Sequence, residues 1–188
     1  LSRIWEKPLR VETRTIDHYV GAGRMEQECI QMPIWFEAVG SGRTPMCAAL
    51  AKAKVILAPW VAAHADSFPP IIVNITDGEA SDGDPTQAMR DLRALSTGDG
   101  SALLFNVLVT QKAGDRKVIY PADPEDMWDR TSATLYDSSS ELPPAMLSEA
   151  GRTLGRELPA GARGVVLNAG MLDLIKALEI GTRAGNSV

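Results

Sequence analysis

The spacing of hydrophobic and polar positions changes several times along the chain, and each spacing predicts a type of element. Residues 9–20 alternate roughly between apolar and polar side chains, which predicts a strand or a hairpin. Residues 71–76 and 102–109 are apolar runs without alternation, as is typical of buried parallel strands covered on both faces, and both are predicted at the centre of the sheet. Residues 164–168 predict another short strand, and residues 34–39 a strand or an irregular approach to a loop.

Helical spacing of apolar side chains predicts a first helix that begins at Thr44-Pro45. Thr44 suits the N-cap, and Pro45 suits the first helical position. Pro59 should end or kink this helix, because proline cannot donate the backbone hydrogen bond. The stripe expected to face the core consists of Met46, Ala49, Leu50, Ala53, Ile56 and Leu57.

Three further helices are predicted in the rest of the chain. One covers residues 85–95 and begins at a capping box formed by Asp84 and Gln87. The others cover residues 143–155 and 170–180. The side chains expected to be buried on the last helix are Leu174, Ile175 and Leu178. Strands that alternate with helices in this way indicate an α/β fold with a doubly wound, mostly parallel sheet.

The composition narrows the class of protein. With 188 residues, of which 45% are hydrophobic and 23% charged, the chain suits one globular domain over residues 1–188, with residues 1–33 an unassigned N-terminal segment. The net charge of −5 and the absence of a basic cluster argue against nucleic-acid binding. No apolar run looks long enough to cross a membrane. Cys29 and Cys47 lack metal-ligand spacing, so we expect a cytoplasmic protein with reduced cysteines. A disulfide between the two cysteines remains an open alternative.

Two loops, residues 40–44 and 77–79, are predicted at the carboxyl ends of strands, where open α/β sheets bind ligands. They carry the Thr44 hydroxyl and the Asp77 carboxylate, which are hard oxygen ligands suited to Mg²⁺, Mn²⁺ or Ca²⁺. Taken alone, Thr44 is only a helix cap and Asp77-Gly78 only a turn. Asp82 and Asp84 are interpreted as loop and cap residues, and Glu79 as a solvated charge.

Two short motifs carry a family resemblance when they are taken together. Residues 42–46 (GRTPM) and 75–79 (ITDGE) resemble the von Willebrand factor type A (VWA) domain, and the likeness covers roughly residues 34–183. Segments typical of intracellular bacterial stand-alone members are residues 135–143, 163–169 and 180–183. The resemblance implies a Rossmann-like three-layer αβα sandwich with a metal-ion-dependent adhesion site (MIDAS) at the carboxyl edge of its sheet.

The resemblance also implies a function. Thr44 and Asp77 would be metal ligands, with Asp77 often acting through water, for Mg²⁺ or another divalent cation. A protein partner would complete the shell with an acidic side chain, and no residue would be catalytic. Such a protein-interaction module would serve bacterial signalling or stress response without contacting nucleic acid or membrane.

The chain departs from the family at the first metal motif, Asp-x-Ser-x-Ser. Asp17 has no serine at the required spacing, and residues 137–141 (DSSSE) end in glutamate and are predicted to be a loop. The motif therefore lies upstream of Leu1, which is not a methionine, or has been lost; residues 9–20 are an alternative source of the missing first strand. We expect weak or no divalent-ion binding by this chain.

Two other functions stay open. Asp77 at a strand end could serve as a phosphoacceptor or in metal-dependent phosphotransfer, although no lysine is placed beside it and no nucleophile–base pair is evident. Gly40 and Gly42 precede a helix, as in nucleotide-binding loops, but the third glycine and the P-loop lysine are absent.

Overall fold

The structure is a computed structural model that describes residues 7–21, 24–37, 40, 42–109 and 116–183. The chain divides into two compact units, residues 1–42 and residues 43–188. The described part of the first unit contains one two-stranded sheet, and that of the second contains a four-stranded sheet and a separate two-stranded one.

The first unit contains an antiparallel hairpin, which confirms the prediction for residues 9–20. Its strands are β1 (Arg10–Gly21) and β2 (Arg24–Ile34). Of the two alternatives for residues 34–39, the irregular approach to a loop describes residues 35–37, which lie outside the ladder; residues 38–39 are outside the described part of the chain. The ladder ends at the pair Arg10↔Ile34, beyond which the N–H of Leu9 donates to the carbonyl of Ile34 at 2.6 Å.

The second unit alternates helices and strands. Its helices are α1 (Met46–Ala63), α2 (Thr86–Arg93), α3 (Arg130–Ser138), α4 (Pro144–Leu154) and α5 (Met171–Arg183), with a 3₁₀ turn at Pro124–Asp126. Its strands are β3 (Ile71–Thr76), β4 (Ser96–Thr97), β5 (Gly100–Ser101), β6 (Leu103–Leu108), β7 (Val118–Ile119) and β8 (Val165–Leu167). The helices predicted over residues 85–95, 143–155 and 170–180 are confirmed as α2, α4 and α5, whereas α3 was not predicted.

The main sheet is mostly parallel, as predicted. Its order is β3-β6-β8-β7, in which β3 and β8 run parallel to β6, and β7 runs antiparallel to β8. The prediction that residues 71–76 form a buried central strand is wrong: β3 lies at the sheet edge and is mostly half-buried. Among the described residues, no strand pairs with the outer edge of β3.

The side chains of β6 divide between two hydrophobic clusters. Leu104 and Leu108 belong to one cluster, and Phe105 and Val107 to the other, as expected for a strand whose successive side chains point to opposite faces. The helices divide in the same way. The first cluster takes Met46 and Leu50 from α1, Met89 and Leu92 from α2, and Leu135 and Tyr136 from α3. The second takes Met146 and Ala150 from α4, and Ala177 and Ile180 from α5.

The structure corrects two expectations for helix α1. The helix continues through Pro59 to Ala63, so it does not end at this proline, and the alternative of a kink at Pro59 stays a prediction. Its core stripe is narrower than predicted: Met46 and Leu50 are buried, whereas Ile56 is 64% exposed. The reason is geometric, since residues spaced by four, seven and eleven from Met46 share one direction on a helix, and residue 56 lies about a quarter turn away.

Helix α5 also buries a different set of residues from the one predicted. Leu174 packs against the core, but Ile175 is 53% exposed and Leu178 is 40% exposed. Ala177 and Ile180 are the buried residues, which lie on the same side of the helix as Leu174.

Candidate functional site

The loop after β3 contacts the segment before α1. The backbone N–H of Ser81 donates to the carbonyl of Thr44 at 2.9 Å, so the two loops that carry Thr44 and Asp77 meet. Thr44 is half-buried, and Asp77 is exposed. The structure therefore places Thr44 against Ser81 of the longer loop after β3, and the closeness of the Thr44 hydroxyl and the Asp77 carboxylate, with a ligand shared between them, stays a prediction.

Asp82 caps the first turn of α1. Its two carboxylate oxygens accept the backbone N–H groups of Cys47 at 3.0 Å and of Ala48 at 2.9 Å. The Ala48 N–H is the main cause that lowers the pKa of Asp82. The prediction that Thr44 caps this helix is wrong, because the cap position falls on Pro45 and the donors are satisfied by a residue from a distant loop.

Asp84 holds the entrance to α2 in a local turn. Its Oδ1 accepts the backbone N–H of Thr86 at 2.9 Å, and hydrogen bonds from Thr86 lower the pKa of Asp84. The predicted capping box is wrong, since the Gln87 amide donates to Asp91 at 2.6 Å and does not reach back to the start of the helix. Arg130 lies 3.9 Å from the Asp84 carboxylate.

Glu79 connects the loop to helix α3. Its carboxylate accepts the Thr131 hydroxyl at 3.1 Å, so it is more than a solvated charge. Helix α3 begins at a capping box in which Asp129 accepts the backbone N–H of Ser132 at 2.7 Å and Ser132 accepts that of Asp129 at 3.0 Å. The Asp-x-x-Ser spacing was the sequence signal that could have revealed this helix.

A cavity of about 300 Å³ lies between this loop and the first turns of α3. Met46 and Leu135 supply its apolar wall. Its polar lining includes Glu79, Asp84, Arg130, Thr131 and Thr134. Such a cavity suits the end of one long side chain or a small polar molecule.

The described residues do not fit a complete metal site. No group of three or more His, Cys, Asp or Glu side chains among them is placed to hold an ion. The carboxylates of Asp82, Asp84 and Glu79 already accept hydrogen bonds from helix termini or a hydroxyl. Thr44 and Asp77 would be left as ligands, whereas a hard dication takes about six oxygen atoms.

The DSSSE segment contributes to the core and not to the site. Asp137 and Ser138 belong to the last turn of α3, so the loop predicted over residues 137–141 is wrong for its first two residues. Ser139 is fully buried, and the Ser140 hydroxyl accepts the backbone N–H of Leu104 at 3.0 Å. Asp17 lies in β1, and its side chain is outside the described part.

Comparison with known proteins identified no relative of this chain. The sequence matches no protein-family profile, no curated protein and no solved structure.

Proposed function

We propose that the chain is a VWA-like protein-interaction module that binds its partner at the carboxyl edge of the main sheet. The two separate core clusters support a three-layer αβα arrangement, and the open edge of β3 supports the absence of the first strand of such a sheet. In this proposal the protein is not an enzyme and works in the cytoplasm, in bacterial signalling or stress response.

The cavity beside Glu79 is the observation that carries the proposal. It opens at the end of β3, and its rim holds the carboxylates of Glu79 and Asp84 with the guanidinium of Arg130. Asp77 adds an exposed carboxylate immediately after the strand. Acidic groups therefore outnumber basic ones around the cavity.

This charge balance decides which partner side chain the chain favours. The VWA resemblance implies an acidic side chain that reaches the site through a divalent ion. Without the ion, the carboxylates of Asp77, Glu79 and Asp84 repel a second acidic group and attract a basic one. We therefore propose that this chain alone binds a lysine or arginine side chain, and that an acidic side chain binds only when an ion is present.

Peptide binding tests the proposal. Two fluorescent peptide libraries, differing in whether the central position is Lys/Arg or Asp/Glu, are titrated with and without Mg²⁺, and binding is followed by anisotropy. We expect the basic set to bind in the absence of Mg²⁺. In NMR spectra of the chain, the chemical-shift changes on binding should be confined to residues 77–85 and 130–134. Glu79→Gln should weaken binding at least tenfold, since a charge-assisted hydrogen bond contributes about 1.5–3 kcal/mol.

Asp66→Asn is the matched control, because Asp66 is an exposed carboxylate outside the lining of this cavity. It should leave peptide binding unchanged. Binding that Asp66→Asn weakens as much as Glu79→Gln would reflect net charge and contradict a site at the cavity. Failure of both libraries to bind would contradict the proposed module.

A further inference from the structure

The outer edge of β3 presents unpaired backbone groups at a regular spacing. Leu103 donates its N–H to Pro70 at 2.9 Å, and Val109 donates to Thr76 at 2.8 Å, so the even-numbered residues of β3 face β6. In a parallel ladder, the alternate residues face the other way. The N–H and C=O groups of Ile71, Val73 and Ile75 therefore point outward, where no described strand pairs with them.

Helix α1 lies beside this edge. Met46 contacts Asn74 of β3 through its sulfur at 3.7 Å, and Leu50 shares a core cluster with Ile72. On its other flank α1 is joined to α2 by the ion pair of Lys54 and Asp91 at 2.8 Å. The flank of α1 away from α2 therefore adjoins the open edge of the sheet.

The solvent-facing side of α1 is mostly apolar, with Lys52 as its one exposed charge. Val55 is 73% exposed, Ile56 is 64% exposed and Trp60 is 38% exposed. The other exposed residues of α1 are Ala48, Ala49, Ala51, Lys52, Pro59, Ala62 and Ala63, with a single charge among them. A run of exposed apolar side chains along one helix is typical of an interaction site.

We propose that this face, the outer edge of β3 with the exposed side of α1, binds a second copy of the chain. The outward groups allow an antiparallel pairing about a two-fold axis at Val73, in which Val73 faces its own equivalent and Ile71 faces Ile75 of the other copy. Each such pair exchanges two hydrogen bonds. The same axis places the two α1 helices on one face of a continuous sheet, where their apolar sides meet.

Charge and chain chemistry support this occupant and this direction. Antiparallel pairing about Val73 places Asp77 beside Pro69 of the second copy, so the acidic loops lie at opposite ends of the interface. Parallel pairing would place the two Asp77 carboxylates side by side. Pro69 and Pro70 cannot donate hydrogen bonds, which limits the new ladder to β3 itself.

A membrane surface is the competing occupant. Helix α1 is long and apolar enough to cross a membrane, with 18 residues and a mean hydropathy of 1.5, which corrects the expectation that no segment meets this criterion. One helix of this kind is weak evidence of a span. Met46 and Leu50 are fixed in the core, and the backbone groups of β3 require hydrogen bonds that lipid cannot supply.

The assembly state of the purified chain tests the proposal. Sedimentation velocity over a hundredfold concentration range should show a monomer–dimer equilibrium. Ile75→Lys places a charge on the strand edge, and Ile56→Glu places one on the flank of α1 away from Lys54 and α2; each should weaken dimerisation at least tenfold. Both positions are exposed, at 48% and 64%, so the fold should survive, which circular dichroism checks.

Ile175→Lys is the matched control, since Ile175 is 53% exposed on a different helix, and it should leave the dimer intact. In a Cys29→Ser, Cys47→Ser background, Val73→Cys should form a disulfide-linked dimer on mild oxidation, because residues paired across the axis lie about 5.5 Å apart. Ile175→Cys in the same background should not. A monomer at every concentration, equal cross-linking of both cysteines, or binding to lipid vesicles in place of self-association would overturn the proposal.

Discussion

Asp82 accepts the backbone N–H of Ala48 at 2.9 Å, although the two residues are 34 positions apart in the chain. The second carboxylate oxygen of Asp82 accepts the N–H of Cys47. One side chain thus fastens the loop after β3 to the first turn of α1. The geometry of the proposed binding edge therefore depends on a helix cap, and the cap can be tested separately from binding.

Asp82→Ala should lower the melting temperature, because it leaves backbone N–H groups in the first turn of α1 without an acceptor. Asp82→Asn should lower it less, since one acceptor oxygen remains. Thermal unfolding followed by circular dichroism measures both. Asp66→Ala, which removes an exposed carboxylate elsewhere, is the control; an equal loss in that variant would show that charge and not capping is responsible.

The same cap predicts a pH dependence. The pKa of Asp82 is lowered from its ordinary value of 3.8, chiefly by the Ala48 N–H, so its stabilising effect is present above the unfolded-state pKa. The effect is lost as the pH falls through the lower, folded-state pKa. The difference in melting temperature between the natural chain and Asp82→Asn should therefore be constant near neutrality and shrink below about pH 3.8. A difference that grows in acid would contradict this assignment.

The sequence predicted where helices and strands occur better than it predicted which strands pair with one another. Residues 71–76 and 102–109 have similar apolar content, yet β6 is central and β3 lies at an edge. Apolar content reports burial by helices above and below a strand, and it carries no information on which strands lie to either side. The position of β3 in the sheet depends on pairing between residues that are far apart in the chain. The hydrophobic pattern of one short segment carries no information about such pairing.

The candidate site shows the same limit. The Ser81–Thr44 hydrogen bond brings Thr44 to the loop after β3, whereas the closeness of the Thr44 and Asp77 side chains that the motifs predict stays a prediction. The cap of α1 was assigned to Thr44 because sequence rules search for a cap next to the helix. Asp82 supplies it from the loop after β3, which is distant from the helix in sequence and close to it only in the folded chain. Helix α3, whose first turn binds Glu79, was missed although its capping box was visible in the sequence.

Gly164→Ala should destabilise the fold. A Cβ at residue 164 would lie 2.1 Å from Cδ1 of Phe105, which is buried in β6. We expect a loss of about 1–3 kcal/mol in the free energy of unfolding, as is typical of overpacking. Denaturant titration measures it. Gly78→Ala, where a Cβ would meet no atom within 4 Å, should be nearly neutral.

Adding Phe105→Leu to Gly164→Ala should recover part of this loss, because the smaller side chain gives room to the new methyl group. The double-mutant cycle reports the interaction between the two positions. Strict additivity of the two changes would show that the ring is not the obstacle.

Asn106→Ala should destabilise the centre of the sheet. Asn106 is fully buried in β6, where its Oδ1 accepts from Asn74 at 2.8 Å and its amide donates to the Ser139 hydroxyl at 2.9 Å. Removal of the amide leaves the Asn74 side chain without its acceptor. We expect a cost of about 1–3 kcal/mol in the free energy of unfolding, measured by denaturant titration. Gln87→Ala, which removes an exposed amide from the surface of α2, is the control and should cost much less.

Phosphorylation tests the enzymatic alternative for Asp77. If the chain is a binding module, incubation with acetyl phosphate and Mg²⁺ should leave its intact mass unchanged. A gain of one phosphoryl group that is lost in Asp77→Asn would support the phosphoacceptor alternative and contradict the proposed function.

Divalent-ion titration tests whether Thr44 and Asp77 can bind an ion without the Asp-x-Ser-x-Ser motif. Thr44 offers a neutral hydroxyl and Asp77 one carboxylate, whereas Mg²⁺ demands nearly octahedral coordination by about six oxygen atoms. The carboxylate of Asp82 is held by the N–H groups of Cys47 and Ala48, so its transfer to an ion would uncap α1. Calorimetry with Mg²⁺ and Mn²⁺ should therefore show weak binding or none, with Asp77→Ala indistinguishable from the natural chain. A tight one-to-one isotherm that Asp77→Ala abolishes would mean that Thr44, Asp77 and water complete the site without an Asp-x-Ser-x-Ser motif, and the partner would then be expected to offer an acidic side chain.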